Sequence, residues 1–229
     1  MQVVYEDNHI IIVNKAPGEI VQGDKTGDEP LVETVKRWIK EKYDKPGNVF
    51  LGVVHRLDRP VGGLVVFAKT SKALTRMNEM FREGNVKKTY WAIPRNRPPH
   101  DADRLIHYIT STERNNKSYA SPTPRKDAKE AALSYRLLAS SDRYHLLEVN
   151  LETGRKHQIR VQLAAIGCPL RGDLKYGDRR SNPDGSISLM ARRITFIHPV
   201  SGETIDVTAP LPDDSLWQAF GHLTETSEE

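Results

Sequence analysis

Cysteine is almost missing from this chain: Cys168 stands alone among 229 residues. A single thiol excludes an internal disulfide, and with it the stapled secreted scaffolds, and it suits a cytoplasmic protein. Long apolar runs are missing as well. None approaches the roughly 18–20 residues of a membrane span, so no membrane partner is expected. The opening residues, Met1-Gln2-Val3-Val4-Tyr5-Glu6-Asp7, have neither the basic start nor the apolar stretch of a secretory signal. The eight histidines are dispersed, and no two His or Cys residues fall at the close spacing of a zinc site. Neither G-x-G-x-x-G nor G-x-x-x-x-G-K-[ST] occurs, and no serine sits in a G-x-S-x-G elbow. Dinucleotide, phosphate-loop and serine-hydrolase chemistry are thereby set aside, and neither metal nor cofactor is expected.

What is present describes a globular chain, with 38% apolar and 28% charged residues. The length allows one large domain or two small ones and suffices for a substantial core; a single domain spanning 1–229 is the expectation. Net charge is +4 and the isoelectric point about 9.1, a balance that permits a polyanionic partner without requiring one. Alternating or β-branched runs predict strands over Gln2–Tyr5, His9–Lys15, Val49–Val54, Leu64–Ala68, Lys87–Ile93, Ala131–Ala139, Tyr144–Leu151, Ser186–Phe196 and Glu203–Val207. Helical spacing predicts four helices. Asp28 would cap the first, Ser71 the second, and Asp213 or Asp214 the last; the third would start at Thr153–His157. The order, rich in hairpins with scattered helices, points to an α+β fold: a mostly antiparallel mixed β-sheet with flanking helices.

Two regions stand out. Pro94 to Glu130 holds five of the fourteen prolines and eight basic against five acidic residues, a local net charge of +3. It reads as an exposed, basic, Pro-rich excursion with one or two short strands around Leu105–Ile109. The other is Gly52–Lys69, where two apolar runs flank the polar loop His55-Arg56-Leu57-Asp58-Arg59, closed by Pro60 and a Gly62-Gly63 turn. A short polar loop on a rigid scaffold is where catalytic groups concentrate, so Asp58 is the first candidate for chemistry. Arg155, Lys156, His157 and Arg160 cluster at the expected start of the third helix. Cations there oppose the helix dipole, so phosphates or a carboxylate held at that end would account for them. Cys168, beside Pro169 at an apolar helix end, reads as an ordinary buried thiol.

The stretch His55-Arg56-Leu57-Asp58-Arg59-Pro60-Val61-Gly62-Gly63-Leu64-Val65-Val66-Phe67-Ala68-Lys69 resembles the signature of the RluA family of RNA pseudouridine synthases. Lys88-Thr89-Tyr90 resembles that family's second motif, and Gly154-Arg155-Lys156-His157-Gln158-Ile159-Arg160-Val161 its third. Gly167–Gly177 and the opening, Tyr5–His9 with Val13–Gly18, are similar to it as well, so the likeness runs in order through most of 3–208. Two positions depart from it: Gly62 where relatives commonly carry serine, and Gln162 where many carry histidine. The likeness starts with the catalytic domain, without the small N-terminal RNA-binding accessory domain many relatives have.

That resemblance implies an isomerase converting uridine to pseudouridine in structured ribosomal or transfer RNA, acting on a flipped-out nucleotide without a cofactor. It implies Asp58 as the essential carboxylate. Attack on the sugar, attack on the base and proton abstraction from the sugar remain open for it. Tyr90 would lie against the uracil, and Arg160 would pair with Asp58. Arg56 would touch the displaced nucleotide or fill its vacancy. His55, Lys88, Arg155, Lys156, His157 and Gln158 complete the RNA-binding set. RNA is the expected partner, with no obligate protein partner and a monomeric chain in the cytoplasm. Two other classes compete. A glycoside hydrolase needs a second well-placed carboxyl, which the sequence does not supply beside Asp58. A catalytically inert RNA-binding module has no use for a carboxylate among phosphates.

Overall fold

The computed structural model describes residues 1–225 of the chain. In order, the elements are β1 (Gln2–Glu6), β2 (Ile10–Lys15), α1 (Leu31–Lys42), β3 (Gly52–Val53), β4 (Gly62–Ala68), α2 (Ser71–Glu83), β5 (Lys87–Ala92), β6 (Ala102–Thr112), β7 (Lys117–Ser121), β8 (Lys129–Ser140), β9 (His145–Leu151), α3 (Gln158–Ala165), β10 (Leu189–Ile197), β11 (Thr204–Thr208) and α4 (Ser215–Glu225). Two compact units emerge among the described residues: 1–87 with 193–209, and 88–192 with 210–225. The strand pairings within the units are antiparallel, as the sequence pattern implies, and the fold is α+β.

In the first unit β2 lies between β1 and β4, with Ile10 opposite Ala68 and Lys15 opposite Gly63. Ile10–Val13 and Val65–Ala68 are fully buried, which explains why both strands read as continuous apolar runs rather than alternating ones. Helix α2 packs on β3 and β4. The approach at Gly52 is close: a Cβ there would stand 2.7 Å from Leu74 Cδ1. Thr70, one residue before the expected cap, accepts the Ala73 N–H at 3.2 Å, and Gly84 ends the helix at φ +78°. Asp28 does not cap α1, whose first turn follows Pro30 without a side-chain cap; its carboxylate accepts from Arg59 at 2.6 Å instead.

The run Val49–Val54 forms only a two-residue strand, pairing Gly52 and Val53 with the last two residues of β4. Gly62 and Gly63 are not the turn after the polar loop. They open β4, and the reversal comes earlier, where the Val61 N–H donates to the Asp58 carbonyl at 3.0 Å. The chain therefore reverses at Arg59-Pro60, before the glycines, and Pro60, which has no N–H to donate, lies outside the strand pairing that Gly62 begins.

In the second unit β9 joins β5 to β8, and β6 joins β8 to β7. The basic Pro-rich segment thus contributes β6, eleven residues long, and a hairpin partner in β7. Proline and charge mark its connections while the paired strands between them are regular. Helix α3 begins at Gln158 rather than at Thr153, because His157 sits at φ +55°, outside helical space. Arg155 and Lys156 therefore lie on the approach to the helix, and only Arg160 stands in its first turn. Asp214 caps α4, accepting from the Leu216 and Trp217 N–H groups at 2.9 and 3.3 Å.

Candidate active site

The Asp58 loop is braced from three directions within the first unit. Beneath it, Lys15 is 1% exposed, and its Nζ donates to the carbonyls of Val61 (2.7 Å), Ala16 (2.9 Å) and Arg59 (3.1 Å). All three ammonium donors are thereby satisfied, which is the condition for keeping such a group buried. Burial nonetheless pulls its pKa down to about 8, with Glu19 and Asp58 partly restoring the charged form. Behind the loop, His55 Nε2 accepts the Val66 N–H at 2.9 Å and its ring stacks on Phe81 at 4.8 Å. An acceptor nitrogen carries no proton, so this ring braces the loop in its neutral form. To the side, Arg59 donates to Asp28 (2.6 Å), Thr26 (2.7 Å) and Asp24 (3.3 Å), while its carbonyl accepts from the Gly18 N–H at 2.8 Å. Between these anchors Leu57 is buried, Asp58 half-buried and Arg56 exposed. The result is a carboxylate on a loop whose backbone cannot easily shift, followed and preceded by guanidiniums.

Gly62 adds a detail. A Cβ there would meet the Lys15 carbonyl and Pro17 Cδ, each at 3.3 Å, a tight but not impossible fit, and its φ is not in the left-handed region. Gly63, at φ +111°, is the position that needs a glycine.

In the second unit Tyr90 is buried on β5, opposite Val149. Lys88, two residues before it, lies beside the third-motif loop: a Cβ on Gly154 would stand 3.5 Å from Lys88 Nζ. Burial lowers the Lys88 pKa. Arg155 and Lys156 are exposed on that loop. Gln158, by contrast, is buried and turned inward. Its Oε1 accepts from Thr153 Oγ1 (2.8 Å) and the Arg155 N–H (2.9 Å), and its Nε2 donates to the Ala132 carbonyl at 3.0 Å. His157 is also buried, with Nδ1 2.7 Å from the Tyr176 hydroxyl. These two residues shape the basic loop rather than extending its charged surface.

Arg160 forms a buried fork with Asp173, Nε to Oδ2 at 2.7 Å and Nη2 to Oδ1 at 2.8 Å. Its guanidinium also lies 5.0 Å from the Tyr176 ring centroid. The fork engages two of the three guanidinium nitrogens, so the plane and direction of the group are set by Asp173. Asp173 itself is fixed by the turn around it: its N–H donates to the Leu170 carbonyl at 3.0 Å, and its carbonyl accepts from Tyr176 (3.1 Å) and Asp178 (3.0 Å).

Lys15, Asp173 and Tyr176 were not singled out from sequence, although all lie in quoted motifs. The signal was available for Asp173: an arginine between Ile159 and Val161, on a helix that carries no acid of its own, needs a buried acid from elsewhere. Lys15 gave none, since a lysine closing a strand is ordinarily solvated. No group of three His, Cys, Asp or Glu residues that could hold a metal occurs among the described residues.

Residues 9–165 match the family described as RNA pseudouridylate synthase. The chain is 33% identical over 217 residues to an uncharacterized RNA pseudouridine synthase of Bacillus subtilis, covering 93% of this chain and 70% of that one. It is 30% identical to tRNA pseudouridine synthase C of Vibrio parahaemolyticus, over 100% and 97% of the two chains. To ribosomal large subunit pseudouridine synthase D of Xanthomonas campestris it is 32% identical, over 99% and 70%. Among solved structures, human RNA pseudouridylate synthase domain containing 4 superposes with a TM-score of 0.79 at 23% identity, covering 98% of this chain and 93% of that one, a likeness of fold.

Two expectations follow from the buried charges. Because the Lys15 pKa is about 8 when folded against the usual 10.5, the unfolded chain binds a proton in that window that the folded chain has released. Stability linked to Lys15 therefore rises between these pH values, by up to about 3 kcal/mol. Urea unfolding at pH 7.5, 9 and 10 should show a steeper rise in the parent than in Lys15→Met, which keeps only the contribution of other buried groups such as Lys88; parallel profiles would refute the assignment. Asp173→Ala should cost about 3–5 kcal/mol, because it strands a buried guanidinium. Asp206→Ala, which removes the exposed Arg193 ion pair, should cost no more than about 1 kcal/mol in the same assay.

Proposed function

Because this chain belongs to the RNA pseudouridine synthase family, whose members isomerise uridine to pseudouridine in RNA, we propose that Asp58 carries that reaction on a uridine of ribosomal or transfer RNA. The observation that carries this reading is the Asp58 loop itself: a half-buried carboxylate in the family's signature motif, held from below by the buried Lys15 ammonium. Lys15 supports the role twice, fixing the loop backbone and adding a positive potential that favours an ionised Asp58.

The isomerisation balances within the nucleotide. The bond between C1′ and N1 breaks, uracil turns, C1′ bonds to C5, and the C5 hydrogen leaves as a proton while N1 takes one up. No oxidant or energy source enters. Asp58 acts as the ionised carboxylate, and Arg160 partners it; the fork with Asp173 leaves a guanidinium whose orientation is already set. Tyr90 offers an aromatic face to the uracil. The uridine must leave its stack, at a cost of a few kcal/mol; exposed Arg56 takes the displaced strand or its vacancy. Lys88, Arg155 and Lys156 hold phosphates, which position RNA without reading sequence. His55, His157 and Gln158 serve binding indirectly by holding the two loops in shape. Transfer and ribosomal RNA are the classes named for the two relatives matched over nearly the whole of this chain, and a single thiol suits work in the cytoplasm.

Asp58→Asn should abolish tritium release from RNA labelled at uracil C5 while RNA affinity stays within a few-fold of the parent. Retained release in that variant would end the assignment, and only a synthase liberates that hydrogen, so a hydrolase or an inert binder is separated in the same tube. Lys156→Ala should weaken RNA binding and reduce the slope of log K against log salt by about 0.7–0.9, with the rate at saturating RNA unchanged; an unaltered slope would remove Lys156 from the phosphate contacts.

A further inference from the structure

On the second unit a groove of about 470 Å³ lies between β7, the outer face of α3 and the short 3₁₀ turn Leu174–Tyr176. Its floor is low because Ala164 and Ala165 occupy positions where α3 could have carried long side chains. Its walls are two large side chains left in solvent, Tyr119 at 44% and Leu174 at 57% exposure. Stray apolar residues are common on surfaces, but here two face one cavity. The Tyr119 ring is held in place, since Asn115 Nδ2 donates to its hydroxyl at 2.8 Å.

The charged residues among the described lining of this groove are both lysines. Lys117 Nζ lies 5.7 Å from the Tyr119 ring centroid and 5.5 Å from that of Tyr176. Lys175 stands on the opposite wall, donating to the Asn116 carbonyl at 2.9 Å. No carboxylate is among the described residues that line the groove. Ser118, between Lys117 and Tyr119, donates through Oγ to the Lys156 carbonyl at 2.8 Å, tying this wall to the exposed Arg155-Lys156 loop. An apolar peptide gains nothing from two ammonium groups at its edges. A nucleotide uses every feature: a flat apolar body for the ring and the leucine, and a phosphate for the amines. The volume lies within the range of small-ligand sites.

We infer that this groove holds an unstacked nucleotide of the substrate RNA other than the uridine that reacts, with its base against Tyr119 and Leu174 and its phosphate at Lys117 and Lys175. The inference rests on the RNA reading given above. Stacking on an aromatic face tolerates any base, so the groove selects for an unpaired nucleotide at the right distance from the target rather than for a sequence. It contributes to which structured RNAs are accepted, and not to the chemistry.

The test uses the full chain with unfractionated transfer and ribosomal RNA, labelled with tritium at uracil C5 for activity and substituted with 4-thiouridine for photo-crosslinking. Crosslinks are expected on the peptides carrying Tyr119 and Leu174. Tyr119→Ala should weaken RNA affinity about 10-fold, the scale of one lost base stack, and Tyr119→Phe should restore it. Lys117→Ala with Lys175→Ala should lower the salt slope by about 1.5. Ala165→Trp, a change at an exposed position that fills the groove without touching a charge, should also weaken binding. In each variant single-turnover tritium release at saturating RNA should match the parent. If the parent releases tritium but crosslinks avoid these peptides and Tyr119→Ala binds normally, the groove is not a nucleotide site. If the parent releases none, the enzymatic reading fails instead. A shift in sedimentation with Ala165→Trp and no change in RNA affinity would assign the groove to contact between copies of the chain, and overturn the inference.

Discussion

One buried ammonium organises the first unit. Lys15 ends β2, a strand fully buried through Ile10–Val13, and its side chain is confined beneath the turn that begins at Asp58. An ammonium in that position is costly unless every donor finds an acceptor, and the carbonyls of Ala16, Arg59 and Val61 provide three. The requirement runs both ways. The loop must fold back over the strand to satisfy the lysine, and the lysine then holds the loop at a fixed height above the sheet. Pro60 and the Val61-to-Asp58 backbone bond close the same turn. The Asp58 backbone is thus placed by the turn it begins, and the carboxylate is carried on that fixed loop.

The second unit solves a matching problem with the opposite arrangement. Arg160 enters on a helix whose other early residues are buried, so its charge had to be met inside the protein. Asp173 meets it with a two-point fork, and the tight turn from Leu170 to Asp178 fixes the carboxylate. A buried ion pair is a poor source of stability compared with apolar packing of the same volume, so its retention points to a use for the orientation it imposes. Around it, Gln158 and His157 spend their polar atoms on backbone and on Tyr176, which gives the preceding loop one shape. The exposed Arg155 and Lys156 are then presented from a defined platform.

Much of the fold was legible because its signals are local. Continuous β-branched runs marked β2 and β4, helical spacing marked α1 and α2, Gly84 and Gly167 marked helix ends, and Asp214 marked the start of α4. The differences arose where a local signal had two uses. Asp28 has the chemistry of a cap, yet Arg59, far along the chain, offers it a charged partner. Gly62-Gly63 has the look of a turn, but the chain has already reversed between Asp58 and Val61. The residues from Thr153 to His157 have helical composition apart from the glycine, and one left-handed residue at His157 postpones the helix. The Pro-rich segment read as an excursion with only one or two short strands because its prolines and charges were averaged with the longer β6 and its partner β7.

By itself the sequence determined the class of fold, the order of motifs and the family, because those depend on residue type and on spacing along the chain. It also determined that Asp58, Tyr90 and Arg160 were the residues to examine. Only the tertiary structure decided how they are held: Lys15 under the loop, Asp173 behind Arg160, and His55, His157 and Gln158 turned inward as supports. The physical reason is that hydrogen-bond satisfaction of a buried polar group is a property of three-dimensional neighbourhood. Lys15 and Val61 are 46 residues apart, and Arg160 and Asp173 are 13. No periodicity links such positions; burial does, and burial is decided when the chain closes on itself.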